Sequence, residues 1–183
     1  MRTWIRGVLC CAVLMWTPVN AWAQGPRLQL DKLARLNSLA SEVTDITLDP
    51  AMLQLAGNFL SDPNGGPGLK EMLSGLKGVY VRSFEFEREN VYTPADVNAI
   101  RKQLTAPGWE RLVTVDSKRD RELVEIYSWR EGNGSGGLAI LVAEPKELTV
   151  VNIVGPFDLA KLGALQGNFG IPRLPVDRPN SGR

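Results

Sequence analysis

The chain has no histidine, and its only two cysteines, Cys10 and Cys11, stand side by side near the N-terminus. Without imidazole, Ser-His-Asp and Cys-His nucleophile systems lose their base, and zinc or copper sites lose their commonest ligand. Charge of one sign is missing too. The net charge is +1, so no basic excess invites nucleic acid. No apolar run reaches the roughly 20 residues that a membrane-spanning helix needs.

What is present first is a leader. Arg2 and Arg6 give a basic start, Val8 to Trp16 is almost wholly apolar, Pro18 breaks the run, and Ala21-Trp22-Ala23 closes it with small residues at the two positions a signal peptidase reads. The reading is a signal peptide over 1–23, cleaved between Ala23 and Gln24, and a mature protein in the periplasm or secreted, with no transmembrane segment left. Lipidation of Cys10 or Cys11 is disfavoured, because too little apolar sequence precedes them and the Ala-x-Ala site would go unexplained. Cleavage removes both cysteines and leaves no disulfide. The mature chain carries one net negative charge once Arg2 and Arg6 are gone.

The remaining length suits one domain, 24–171, followed by a Pro/Arg-rich tail over 172–183. Leu30, Leu33, Leu36 and Leu39 predict an amphipathic helix. Val43, Ile46 and Leu48 predict a short strand, and Asp49-Pro50 and Thr93-Pro94 are helix starts, a capping side chain followed by a proline. Further helices are expected to about Leu60, through Leu69, Met72, Leu73 and Leu76, through Val97, Ile100 and Leu104, and from Leu159 to about Phe169. Strands are expected over Val79 to Glu87, Arg111 to Val115, Leu123 to Trp129, Leu138 to Ala143 and Leu148 to Val154, with a glycine-rich hairpin before Leu138. Leu138 to Ala143 is apolar on both faces, as in a central strand, whereas Glu125 and Thr149 point to solvent on one side of theirs. Helices first and strands later predict an α+β fold, a mostly antiparallel sheet of about four to six strands with helices packed on one face.

Three short motifs fail on context. Ser74-Gly75-Leu76-Lys77 matches Ser-x-x-Lys without the partner motifs of penicillin-recognising enzymes. Gly132 to Gly137 matches a dinucleotide loop but leads into a strand rather than a helix. Asp62 and Asn64 lack the alternating ligands and closing glutamate of a calcium loop. No cofactor and no metal site is expected.

Two groups of residues remain as candidates. Glu85 and Glu87, with Glu89, line one side of a strand-like segment whose other side carries Phe84 and Phe86. Carboxylate, lysine, tyrosine and backbone chemistry survive this composition, and a carboxylate pair held at the right separation could cleave glycosides, although the solvent edge of an amphipathic strand is the plainer account of the row. Trp109, Tyr127 and Trp129 are the aromatic types that partner surfaces favour, against core packing as the plain alternative.

The segments Gly75 to Phe86, Ala143 to Gly155 and Gly167 to Pro172, in that order, resemble the bacterial domain-of-unknown-function family 4252, over roughly Leu30 to Pro172. That resemblance implies an exported envelope protein with no established catalytic residues, and so no site to carry over. The combined expectation is a non-enzymatic binding module of the envelope whose partner is another envelope protein. A carboxylate-dependent hydrolase of envelope polysaccharide and a partner in envelope-stress sensing stand as alternatives.

Overall fold

The computed structural model describes residues 25–59, 73, 75–132 and 134–156. The expected leader with its Ala23/Gln24 junction, the expected helices around Leu69 and Met72 and from Leu159, and the expected tail over 172–183 lie outside the described residues. The elements run as a 3-10 helix Leu30–Ser38, β1 (Glu42–Leu48), α1 (Pro50–Phe59), β2 (Gly78–Glu85), α2 (Pro94–Leu104), β3 (Trp109–Ser117), β4 (Glu122–Glu131), β5 (Gly134–Glu144) and β6 (Glu147–Val154). Among them no helix is long and apolar enough to cross a membrane.

All six strands form one sheet in the order β1-β2-β6-β5-β4-β3, antiparallel at every pairing. The topology follows from one long step. After β2 the chain passes through α2 to the far edge of the sheet, then returns as the meander β3-β4-β5-β6, which ends with β6 beside β2. β5 and β6 therefore lie in the interior, which is why their side chains are apolar on both faces and buried on both.

A sheet with two apolar faces needs cover on both, and this corrects the expectation of helices on one face only. Leu33 and Leu36 of the 3-10 helix and Val97, Ile100 and Leu104 of α2 pack with Phe84, Leu141, Leu148 and Val150 on one face. Leu53 of α1, with Leu73 and Leu76, packs with Val81, Ile140, Val151 and Ile153 on the other. The leucine helix also differs in kind. Its leucines recur at every third residue, and a 3-10 helix, with three residues per turn, sets such positions in one row.

Polar side chains fasten the helical face. Asn152, fully buried on β6, accepts from Leu28 N–H at 2.9 Å and donates to the Pro26 carbonyl at 2.9 Å, much as a neighbouring strand would. Gln103 of α2 accepts from Gln29 N–H at 2.7 Å and donates to the Gln29 carbonyl at 3.2 Å. The segment 25–29 thus crosses the sheet as a strap held by two buried amides.

Asp96 joins the two helices. Its carboxylate accepts from Thr93 N–H at 2.7 Å and Thr93 Oγ1 at 2.8 Å, closing the first turn of α2, and from Arg35 Nε at 2.7 Å and Arg35 Nη2 of the 3-10 helix. Burial by itself would push this carboxyl up, but the bonds from Arg35 and Thr93 together hold it below the usual carboxylate range. A lowered carboxyl stabilises the fold above its unfolded value and loses that contribution as pH falls through the folded one. Asp96→Asn should therefore cost about 1–2 kcal/mol at pH 7. In urea unfolding followed against pH, the two proteins should converge below about pH 3.9, the ordinary carboxylate value.

Candidate functional site

The site is built on a buried charge. Glu125 of β4 is only 2 % exposed, where the alternation along its strand had pointed to solvent. It is buried because its partners are there: Arg101 of α2 donates from Nε at 2.8 Å and Nη2 at 3.1 Å, Arg111 of β3 lies at 3.4 Å, and Tyr127 Oη donates at 3.2 Å. The bonds to Glu125 raise Arg101 further above its ordinary value, so it is a permanent cation. Burial, then Glu125, pushes the Tyr127 phenol up, keeping it a protonated donor. Thr149, also read as solvent-facing, is 1 % exposed and bonds Ser83 and Glu147 instead.

Arg101 also forms one wall of a groove of about 360 Å³ between α2, the start of β4 and the β5–β6 turn. Val97, Leu123, Ala143 and Pro145 give it an apolar floor, Asn98 stands at its rim, and Arg121 faces it from the β3–β4 turn. Among the described residues its lining includes two guanidinium groups and no carboxylate. The size is within the range of ligand sites, about 300–1,000 Å³.

Two of the lining residues, Asn90 and Arg121, have φ of 62° and 56°. They are the only non-glycine residues with positive φ among those described. Asparagine tolerates that region, but arginine gains nothing locally to offset its crowded Cβ. A glycine would serve the turn better. The arginine instead lies at the groove, bonded to Glu89 at 2.8 Å, and strained backbone of this kind concentrates at functional positions.

The residues singled out from sequence are placed elsewhere. Trp109 and Trp129 oppose each other across β3 and β4, edge to face at 5.5 Å between ring centroids, and are half-buried. Gly108, at φ 103°, admits the Trp129 ring, since a Cβ there would come within 2.7 Å of it. Tyr127 shares their face but is buried against Glu125, so the aromatic surface reduces to the tryptophan pair. Phe84 and Phe86 are buried as expected.

The glutamates form a row of another kind. Strand β2 ends at Glu85, and Glu87 and Glu89 are exposed in the bend that follows, so the row along the strand does not form. Instead Glu85 pairs directly with Glu42 on β1 and Glu147 on β6, and Glu147 with Glu144 on β5. Burial, then Glu147 and Glu122, raise the Glu144 carboxyl. Ionising it therefore costs folding free energy as pH rises through its folded value. Among the described residues, no group of three or more acidic side chains is placed to hold a metal ion.

A model of the family described as domain of unknown function (DUF4252) matches residues 39–165. That span includes the groove and Glu125 but not the strap or the 3-10 helix. No curated protein matches the chain.

Like charges directly opposite on adjacent strands destabilise a sheet. Glu85→Lys, which sets a cation between Glu42 and Glu147, should stabilise the protein by about 0.5–1 kcal/mol at pH 7 in low salt. Repeating the denaturation in about 1 M salt should shrink that gain, because the charges are then screened within about 3 Å.

Proposed function

The chain belongs to the DUF4252 family of domains of unknown function, and from that starting point we propose a non-enzymatic binding module, exported to the bacterial cell envelope, that holds an acidic segment of a partner protein. Export is supported by the basic, apolar, small-residue order of the first 23 residues. Binding is supported by the groove between α2 and β4, and one observation carries it. Arg121 occupies a left-handed turn position at an energetic cost and lines a groove whose charged lining residues, among those described, are both arginines.

The groove's parts divide the work. Arg101, held in place by Glu125, offers a guanidinium whose position does not depend on the ligand, so little ordering entropy is lost on binding. Arg121, more exposed and paired with Glu89, can exchange that partner for an incoming carboxylate. The apolar floor takes the aliphatic part of the segment. The composition supports binding rather than catalysis, since it lacks imidazole and thiol after processing.

Arg121→Gly separates binding from stability. Removing the crowded Cβ should raise stability by about 0.5–1 kcal/mol, the exposed Glu89 pair contributing little. A photo-crosslinking residue at exposed Asn98 should capture a discrete envelope protein from intact cells, and Arg121→Gly should reduce the capture by about tenfold or more. Capture that is unchanged in the more stable variant would refute the groove as the binding site.

A further inference from the structure

A second cavity, of about 420 Å³, lies where the 25–31 segment passes over β1 and β2. It shares no residue with the Arg101/Arg121 groove. Its charges are balanced: Arg27 and Arg82 on one side of the account, Asp31 and Asp45 on the other. An excess of one sign would select an ion of the opposite sign, whereas two of each within one small cavity suit a molecule that carries both.

Three of the four charged groups have a partner among the described residues. Arg82 is 88 % buried as a side chain, its exposure being 12 %, and donates from Nη2 to Asp45 at 2.6 Å. Its Nε is buried with no hydrogen-bond partner among the described residues, so those residues leave this guanidinium one bond short. Arg27 lies over the ring of Tyr80, its guanidinium carbon 4.4 Å from the ring centroid. The ring is in turn laid back along β2 over Gly78, where a Cβ would come within 2.6 Å of the phenol oxygen. The strap that carries Arg27 is fixed by its bonds with Asn152 and Gln103, and Asp31 follows it in the first turn of the 3-10 helix. Leu28 and Leu30 add apolar wall.

We infer that this cavity binds a small zwitterion of the amino-acid and short-peptide class, its ammonium group taken by Asp31 and Asp45 and its carboxylate by Arg27 and Arg82. Arginine supplies the planar, paired donors that a carboxylate needs, and an exposed Asp45 keeps acceptor capacity beyond its bond to Arg82. The length of the ligand is limited by the cavity, which suits a dipeptide better than a long segment.

The test uses the mature full-length protein and four probes: alanylalanine in its L,L and D,D forms, N-acetyl-alanylalanine, and alanylalanine amide. Calorimetry should show saturable binding of at least one free dipeptide, weakened about tenfold or more when either terminus is blocked. Binding of the L,L form alone would assign ordinary peptides as the source, and of the D,D form alone cell-wall peptides; either supports the site. Arg27→Gln, at an exposed position, should weaken binding about tenfold while leaving the melting temperature unchanged. Gly78→Ala, which displaces the Tyr80 ring without touching any charge, should weaken it as well. Arg121→Gly should leave it intact, so that failure of the groove and failure of this cavity are told apart. No binding of any free dipeptide, or equal binding of the blocked forms, overturns the proposal.

Discussion

Placing a carboxylate beneath a helix costs several kcal/mol unless cations and donors meet it there, and Glu125 is placed in just that way. Its position on β4 is determined by the pairing of the meander, so its partners have to come to it. Arg101 arrives only if α2 lies over β4 at one rotation and one translation, and Arg111 only if β3 pairs in its bulged register. The same placement makes Arg101 a groove wall and brings Asp96 to the 3-10 helix, where Arg35 completes its bonds. An apolar contact between α2 and the sheet would tolerate sliding; a two-point guanidinium–carboxylate contact does not.

The two faces of the sheet are consequently held by different means. On the face of α1 the contacts named are apolar, among Leu53, Val81, Ile140 and Ile153. On the helical face an apolar core is supplemented by directional fasteners: Glu125, Asp96, Asn152 and Gln103, all buried and all bonded. Directional bonds specify geometry more narrowly than apolar burial does. Both cavities are on that face, on either flank of its helices, and both have arginines whose placement these fasteners determine.

Much of the fold was legible because it depends on local signals. Pro50 and Pro94 marked helix starts, Phe84 and Phe86 marked the buried side of β2, and the unbroken apolar run of β5 marked an interior strand. The leucines at every third residue carried the 3-10 signal, which a general helical period blurred. Register was not legible. Alternation along β4 shows that Glu125 differs from its neighbours but not that Arg101, 24 positions earlier in the chain, waits above it. It likewise shows Glu85 and Glu87 in a row, whereas strand pairing sets Glu85 beside Glu42 and Glu147. Arg121 gave no local sign of its backbone conformation, since the residue that usually announces such a turn is the one it replaces.

The central claim is that the Glu125–Arg101 pair sets the position of α2, and a thermodynamic cycle on that pair tests it most directly. Urea unfolding would be measured for Arg101→Leu, Glu125→Leu and the double variant. The account predicts that Arg101→Leu, which leaves a buried carboxylate short of its main partner, costs about 3 kcal/mol or more, and that the double variant is less destabilised than this single one. Additive losses in the double variant would show two independent side chains and contradict the account.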